Sequence, residues 1–162
     1  MKIVITGHTR GLGKEIYNHF VSLNHEVIGL SRSNGFSIPE KINEIVEIAK
    51  TSDLFINNAH VGLSQAEFIK KLFRTTKIIT SGSMGADHWE SGDIYYVEKN
   101  RIENLHKICK EFTAQPMLLI KMGYLENYTD RASIPYSQII SAIDFWLQTP
   151  RISMIEFNNV RV

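Results

Sequence analysis

Short apolar runs alternate with stretches of helical periodicity along the chain, and this alternation restricts the fold more than any other sequence feature. Short apolar runs bounded by turn residues are typical of buried strands, and apolar residues three or four positions apart are typical of helices. Strands separated by helices form parallel sheets covered on both faces and connected by right-handed crossovers. The pattern therefore predicts an α/β fold, a Rossmann-type doubly wound parallel sheet.

The predicted elements follow this alternation from end to end. Strands are predicted at Lys2–Thr6, Glu26–Leu30, Asp53–Asn57, Lys77–Thr80, Met117–Lys121 and Ile152–Phe157. Helices are predicted from about Gly11 to Asn24 and at Pro39–Lys50, Gln65–Phe73, Ile94–Phe112 and Ser137–Leu147. In such sheets ligands bind beyond the carboxyl ends of the strands, so we expect the functional residues to follow the strands.

Length and charge exclude several functional classes. The 162 residues fit one domain spanning the whole chain, since folded domains usually run ~100–200 residues. The formal charge of +1 provides no broad field for a nucleic acid or an anionic membrane, and no apolar run approaches the ~20 residues of a membrane helix.

The six histidines show no spacing suited to zinc, so no metal is expected. The chain start does not resemble a signal peptide, and the lone Cys109 agrees with a reducing compartment, so we expect a cytoplasmic protein.

A glycine-rich turn follows the first predicted strand and opens the first predicted helix. It reads Thr6-Gly7-His8-Thr9-Arg10-Gly11-Leu12-Gly13. In such a turn Gly7 allows the tight bend, Gly11 lets the backbone approach a pyrophosphate, and Gly13 lets the helix pack closely on the strand. We expect the segment from Gly7 through Thr9, Arg10 and Leu12 to bind a dinucleotide, with its phosphates at the helix N-terminus. The alternative is a structural turn without a ligand.

The residues after the second strand bear on which dinucleotide is bound. A site for a free ribose 2′-hydroxyl usually carries Asp or Glu here, whereas Ser31-Arg32 offers an arginine that suits the 2′-phosphate of NADP. Arg10 could supply a second guanidinium to the same phosphate. We therefore predict NADP(H) rather than NAD(H). The alternative is that both arginines are solvated surface groups.

Tyr95 and Lys99 stand four residues apart on the long predicted helix, so both face the same side. A phenol with its usual pKa near ~10 is a poor acid–base catalyst at neutral pH, but a nearby ammonium lowers that pKa. The tyrosine can then exchange a proton with a substrate oxygen, which a serine at a neighbouring strand end can hold. Tyr96 is a poorer candidate because Asn100, four residues on, carries no charge. The alternative is an ordinary contact on a helix surface.

Four motifs together resemble the short-chain dehydrogenase/reductase family, and they occur in the family's order. They are Thr6-Gly-x-x-x-Gly-x-Gly13, Asn57-Asn-Ala59, a serine at a strand end, and Tyr95-x-x-x-Lys99. The resemblance covers nearly the whole chain. It implies a Rossmann-type fold that binds NAD(P), with Tyr95 as the catalytic acid–base and Lys99 lowering its pKa and holding the nicotinamide ribose.

The same resemblance implies further cofactor contacts. Asn57, Asn58 and Ala59 would line the cofactor cleft and steady the central sheet. Gly123 corresponds to the glycine of the family's Pro-Gly motif, and Asn127 falls where a threonine usually contacts the nicotinamide amide.

The chain departs from the family in its short internal segments. Only 22 residues separate Leu30 from Asp53, so one helix of the usual set is expected to be missing, and the strand near Gly35–Ile38 to be short or lost. The family's asparagine that anchors a proton-relay water has no identifiable counterpart. His60 replaces the glycine of the usual Asn-Ala-Gly. It either lines the site or, in the interpretation we favour, is structural.

Two serines compete for the role of holding the reacting oxygen. Ser81 matches the family when Thr80-Ser81 is laid on its Ser-Ser pair, whereas Ser83 lies 12 residues before Tyr95, which is nearer the customary gap. We assign the role to Ser81 because it lies closer to the strand end.

These residues predict an NADPH-dependent oxidoreductase that acts on a small carbonyl or alcohol substrate through Ser81, Tyr95 and Lys99. The alternatives are a non-catalytic NADP-binding sensor or interaction protein and an epimerase or dehydratase of the family's extended branch. The short segment from Tyr124 to Tyr136 either admits a large substrate or needs a second subunit to complete the pocket. By resemblance we expect a homodimer or homotetramer, paired through the helix that carries Tyr95.

Overall fold

A computed structural model describes residues 1–126 and 133–159, and in it every strand runs in the same direction. The strands are β1 (Lys2–Thr6), β2 (Glu26–Leu30), β3 (Leu54–Asn57), β4 (Lys77–Ser81), β5 (Met117–Met122) and β6 (Met154–Phe157). The α-helices are α1 (Gly11–Ser22), α2 (Ile38–Lys50), α3 (Ser64–Leu72), α4 (Ile94–Glu111) and α5 (Tyr136–Gln148). Short 3₁₀ helices occupy Arg32–Asn34 and Met84–Ser91.

The strand order is β2-β1-β3-β4-β5-β6, and all pairs are parallel. The chain moves outward from β1 to β2 and then returns past β1 to β3, so the strand order reverses between β1 and β3. The register aligns Thr6 with Leu30 and Asn57 with Thr80. The loops after β1, β2, β3 and β4 therefore meet at one edge of the sheet, where doubly wound folds bind ligands. The predicted α/β Rossmann-type fold is confirmed.

Two apolar layers flank the sheet because successive strand residues point to opposite faces. Ile3 and Ile5 belong to the layer on the α1 and α5 side, while Val4 belongs to the other layer. Both layers contain fully buried side chains, which include Phe20, Ile139 and Trp146 on the first face and Ile45, Phe68 and Ile102 on the second. This burial holds the helices on both faces and fixes the start of α1 against β1.

The segment between β2 and β3 is shortened, as its length predicts. It contains a 3₁₀ turn and the single helix α2, and the strand expected near Gly35–Ile38 is lost. Gly35 has a left-handed backbone (φ 87°) that closes the 3₁₀ turn. The Asn34 side-chain nitrogen donates to the Gly29 carbonyl (2.7 Å) on the outer side of β2. β2 is therefore the edge strand of the sheet.

Several predicted boundaries shift for local reasons. α1 ends at Ser22 because Asn24 takes a left-handed backbone with φ 59°. The final strand begins at Met154, since the carbonyl of Ile152 lies in the preceding loop and accepts from the Trp146 indole (2.7 Å). The 3₁₀ helix at Met84–Ser91 is not foreseen in the sequence analysis.

Within the two described ranges, no helix combines the length and apolar character that a membrane crossing requires.

Candidate active site

The turn after β1 has the geometry that its glycines predict. Gly7 and Gly11 have positive φ angles of 73° and 54°, a region that side chains disfavour. A Cβ atom on Gly13 would lie 2.2 Å from the Gly7 carbonyl oxygen, so only glycine allows α1 to begin this close to the strand. Arg10 precedes the helix in an extended conformation, and its side chain does not cap the helix. Thr9 and Arg10 are exposed, and Leu12 is buried beneath the turn.

The Asn-Asn-Ala segment after β3 is fastened to this turn. The Thr6 hydroxyl oxygen accepts hydrogen bonds from the backbone nitrogens of Asn58 and Ala59, each 3.1 Å away. The Asn58 side-chain nitrogen donates back to the Thr6 carbonyl (3.2 Å). A Cβ atom on Gly7 would lie 2.9 Å from Ala59 Cβ. The two segments on either side of the strand-order reversal therefore form one rigid edge.

The residues after β2 lie beside the glycine turn. The Gly7 nitrogen donates to the Leu30 carbonyl (2.8 Å), which brings the predicted 2′-phosphate residues Ser31 and Arg32 to the same edge. Ser31 is buried and Arg32 is exposed. Within residues 1–126 and 133–159, neither Arg10 nor Arg32 forms an ion pair. Both guanidiniums are therefore available to an anion, although their predicted role remains a prediction.

Lys99 is a buried ammonium held by neutral oxygen atoms. Its side-chain nitrogen donates to the Gln65 amide oxygen (2.8 Å) and to the Ser81 carbonyl (2.9 Å). Lys99 is 4% exposed, and burial lowers its pKa to about 8, against a smaller opposing effect of Glu98. Among residues 1–126 and 133–159, no carboxylate forms an ion pair with Lys99. A buried ammonium without such a partner is costly, so the fold loses stability by placing Lys99 here.

Tyr95 lies next to this ammonium, as the helical spacing predicts. The Lys99 side-chain nitrogen is 5.7 Å from the centroid of the Tyr95 ring. Tyr95 is 39% exposed, so one side of the ring is accessible from outside. A phenol near a cation and open to a substrate is the arrangement that acid–base chemistry at a carbonyl oxygen requires.

His60 packs on the other side of Tyr95. The two ring centroids are 4.9 Å apart at an interplanar angle of 81°, and His60 Nε2 lies 3.0 Å from a Glu98 carboxylate oxygen. Burial lowers the His60 pKa, and the positive charge of Lys99 lowers it further. His60 thus belongs to the wall that holds the tyrosine ring. The sequence favours a structural role for His60, with lining the site as the alternative, and does not predict this contact with Tyr95.

The two candidate serines differ in their hydrogen bonds. Ser83 caps the 3₁₀ helix that begins at Met84, and its hydroxyl accepts from the Gly85 nitrogen (3.1 Å). Ser81 ends β4 directly beside Lys99, and its hydroxyl donates to the Asn58 carbonyl (2.8 Å). The structure thus brings Ser81, Tyr95 and Lys99 together, and the catalytic assignment of Ser81 stays a prediction.

The segment after β5 is held by a residue that the sequence analysis misses. The Tyr124 nitrogen donates to Asn159 Oδ1 (2.5 Å), and Asn159 Nδ2 donates to the Tyr124 carbonyl (3.0 Å). A Cβ atom on Gly123 would lie 2.0 Å from Asn159 Oδ1, so any other residue there would displace the Asn159 side chain from these hydrogen bonds. The predicted nicotinamide contact Asn127 lies outside the described residues.

Gln65 is the other residue that the sequence analysis misses. It is fully buried, and its amide nitrogen donates to the Asn57 carbonyl (2.7 Å) and to the Ser81 hydroxyl (3.1 Å). Asn57 returns a hydrogen bond from its own side chain to the Gln65 carbonyl (2.9 Å). A polar residue in the first turn of a helix between two functional strand ends is the one signal that could have identified it.

Over residues 1–126 and 133–159, acidic, histidine and cysteine side chains form no group of three or more that could hold a metal ion.

Known structures share this architecture although sequence matches are absent. No protein-family model and no curated protein sequence matches the chain. The 3-alpha-hydroxysteroid dehydrogenase from Pseudomonas sp. B-0831, complexed with NADH, superimposes with a TM-score of 0.67 at 14% identity, over 96% of this chain and 95% of that one. A small-chain dehydrogenase in complex with NADPH gives 0.73 at 16% identity, over 98% and 97%.

A third similar structure is a UDP-N-acetylglucosamine 4-epimerase from Bacillus cereus, with a TM-score of 0.68 at 14% identity over 97% of this chain and 77% of that one. At such identities the similarity establishes the fold. The chain has the Rossmann-type fold of short-chain dehydrogenase/reductase structures, as the sequence resemblance implies.

The lowered pKa of Lys99 predicts a pH-dependent stability. Between pH 8 and 10.5 the unfolded lysine, with its ordinary pKa of 10.5, binds more protons than the folded one. The free energy of unfolding should therefore rise with pH across this window, by at most about 1.4 kcal/mol per pH unit from this group. Below pH 8 both states are protonated and the burial penalty is constant.

Urea unfolding at pH 7.5 and pH 10, with Lys99→Met as the reference, measures this effect. The stability of the wild type relative to Lys99→Met should increase from the lower to the higher pH. An unchanged difference would show that the Lys99 ammonium is solvated in the folded protein.

Proposed function

We propose that the chain is an NADP(H)-dependent oxidoreductase that interconverts a carbonyl and an alcohol through Ser81, Tyr95 and Lys99. The observation that carries this proposal is the buried Lys99 ammonium, which has neutral hydrogen-bond partners and lies beside a partly exposed phenol. In the proposal the whole chain is one such domain, and the enzyme is cytoplasmic.

The residues at the strand-order reversal fit a dinucleotide. The absence of a Cβ atom at Gly13 lets the start of α1 lie against the Gly7 carbonyl, and the helix begins without a side-chain cap. Backbone N–H groups at such a helix start suit a pyrophosphate. When bound, the nicotinamide would supply the hydride chemistry. Gly7, Gly11, Asn58 and Ala59 would line the cleft from the adjacent loops.

Residues of the chain would donate the proton and hold the substrate oxygen. In the direction of reduction, Tyr95 would donate its phenolic proton to the substrate oxygen as that oxygen gains charge. The Lys99 ammonium would stabilise the resulting phenolate, and the Ser81 hydroxyl would hold the same oxygen. The His60 ring would keep the Tyr95 ring in place.

Removal of the phenolic hydroxyl tests this function. We expect Tyr95→Phe to lower the rate of NADPH consumption by about 10²- to 10⁴-fold on a carbonyl substrate, the usual contribution of a positioned acid, with NADPH binding retained. The measurement is NADPH oxidation across a panel of aldehydes, ketones and quinones. Tyr96→Phe is the matched control, since the Tyr96 ring packs over Gly85 and has no assigned role.

The outcomes separate the proposed enzyme from its alternatives. A wild type that binds NADPH but turns over no substrate, with Tyr95→Phe behaving identically, would indicate a sensor. Conversion of a nucleotide sugar without net NADPH consumption would indicate an epimerase, a class represented among the similar structures.

Cofactor preference is predicted to depend on Arg32 and Arg10. Both are exposed at the edge where the turns after β1 and β2 meet, and the four residues Ser31 to Asn34 after β2 include no acid that would pair with a free 2′-hydroxyl. We expect tighter binding of NADPH than NADH, with Arg32→Asp weakening NADPH binding by about 10- to 100-fold, because a charge-assisted phosphate contact is worth ~1.5–3 kcal/mol.

Calorimetric titration of both coenzymes measures this preference. Arg151→Ala, exposed in the loop before β6 at the opposite end of the strands, is the control and should bind both coenzymes as the wild type does. Equal wild-type affinities for NADPH and NADH would refute the phosphate contact.

We propose a homodimer or homotetramer that pairs through α4. Ile94, Ile108 and Phe112 are 69%, 58% and 66% exposed, and their spacing places them on one face of this helix. Apolar side chains aligned on one exposed helix face are typical of a contact surface. A second subunit in this position would lie next to the exposed side of Tyr95.

Charged substitutions on this face test the assembly. Ile108→Glu with Phe112→Glu should halve the mass of the oligomer, from dimer to monomer or from tetramer to dimer, in light scattering coupled to size-exclusion chromatography. Phe145→Glu, on the exposed side of α5, should leave the mass unchanged. A monomeric wild type at micromolar concentration would contradict the proposal.

A further inference from the structure

Gln65 is a fully buried polar residue at the centre of the candidate site. It lies in the first turn of α3, yet its side chain contacts groups from β3, β4 and α4. Each of these contacts is a hydrogen bond to a residue that the site uses or to its neighbour. An unpaired buried amide would cost free energy, so this connectivity is a specific feature of the fold.

The orientation of the Gln65 amide is fixed by its partners. An ammonium can only donate, so the amide atom facing Lys99 (2.8 Å) must be the oxygen. Carbonyl oxygens can only accept, so the atom facing Asn57 O (2.7 Å) and Ser81 O (3.2 Å) must be the nitrogen. A rotation of the amide by 180° would bring donor to donor and acceptor to acceptor. The chemistry of the neighbours therefore locks a single orientation.

The locked amide also determines the direction of the Ser81 hydroxyl. Gln65 Nε2 donates to Ser81 Oγ (3.1 Å), which occupies a lone pair of that oxygen. The hydroxyl hydrogen is then directed to an acceptor, and the nearest is the Asn58 carbonyl at 2.8 Å. The Gln65 side chain thus fixes the position of the Lys99 ammonium and the direction of the Ser81 hydroxyl.

We propose that Gln65 is the positioning residue of the site, whose amide holds the Lys99 ammonium and the Ser81 hydroxyl in a fixed relation to each other. The catalytic consequence rests on the proposed function, whereas the effect on Lys99 does not. Gln65 does not touch the reacting atoms in this arrangement and acts through its two partners. It also explains how a chain without the expected relay asparagine keeps its lysine in place.

The neutral charge of Gln65 matters because the other groups near Lys99 are titratable. Tyr95 and Glu98 face it from α4, and His60 faces it from the segment after β3. Gln65 and the Ser81 carbonyl supply the hydrogen bonds without adding charge. A change of charge or of hydrogen bonding at residue 65 should therefore appear directly in the titration of Lys99.

Two substitutions of nearly equal size should shift this titration in opposite directions. Gln65→Met removes the acceptor and should lower the Lys99 pKa by about one unit, while Gln65→Glu adds a negative charge and should raise it by about one unit or more. The measurement is a ¹³C NMR titration of lysine-labelled protein without cofactor. Lys99→Met identifies the Lys99 signal by its loss.

Matched controls separate this effect from a general loss of structure. Gln115 lies in the loop before β5, at the opposite end of the strands from the site. The substitutions Gln115→Met and Gln115→Glu should therefore leave the Lys99 titration unchanged. Far-UV circular dichroism reports folding of each variant. If Gln65→Glu does not fold because its carboxylate faces carbonyl oxygens, Gln65→Met decides alone. A Lys99 titration in folded Gln65→Met that matches the wild type would overturn the proposal.

Turnover is a separate measurement that distinguishes a failure of the proposed oxidoreductase function from a failure of the positioning role of Gln65. With an accepted substrate, Gln65→Met should lower kcat by about 100-fold, as misplacement of a catalytic group by ~1 Å can, with little change in KM. A wild type without turnover whose Lys99 titration still shifts as expected would refute the proposed function and support the positioning role. An active wild type whose Gln65→Met variant keeps kcat would refute the positioning role.

Discussion

The burial of the Lys99 ammonium is the constraint on which the candidate site depends. The chain contains a second buried lysine for comparison, Lys121, which lies 2.8 Å from Asp87, 3.2 Å from Glu103 and 3.5 Å from Glu156. Burial lowers the pKa of Lys121, but the hydrogen bonds and the negative charges of Asp87 and Glu103 together outweigh it, so the pKa is raised. Lys121 is thus compensated as a structural ion pair should be. Lys99 is not compensated by carboxylates in this way, so its positive charge can act on the neighbouring Tyr95 phenol.

The chain is shortened at the edge of the sheet, beyond β2, and not at the strand-order reversal between β1 and β3. The outer strand beyond β2 is lost, and Asn34 satisfies the Gly29 carbonyl that such a strand would have paired. At the reversal itself, Thr6 and Asn58 exchange hydrogen bonds between β1 and the segment after β3. An edge strand contributes one ladder of hydrogen bonds, whereas the central strands carry both the core and the site. The loss is therefore tolerated at the edge.

Local patterns made the fold predictable, and distant contacts limited the prediction of the site. The apolar runs located all six strands of the described residues, and the residue count between Leu30 and Asp53 correctly indicated a missing helix. The contacts of Gln65 join it to residues up to 34 positions away, and no local pattern encodes such a pairing. The 3₁₀ helix at Met84–Ser91 was missed for a related reason, since the Tyr96 ring packs against Gly85 from the next helix. Helical spacing did place Tyr95 and Lys99 together, because their relation lies within one helix.

The hydrogen bonds of Ser81 show how the proposed reaction could begin without rearrangement of the sheet. Its hydroxyl donates to the Asn58 carbonyl while its oxygen accepts from Gln65. A substrate carbonyl would compete with the Asn58 carbonyl for one hydrogen, and exchange of one neutral acceptor for another changes the free energy little. The Gln65 bond can persist during that exchange because it uses a lone pair of the hydroxyl oxygen and not its hydrogen. Rotation about the Cβ–Oγ bond would therefore redirect the Ser81 hydrogen, while Gln65, Lys99 and the strand end stay fixed.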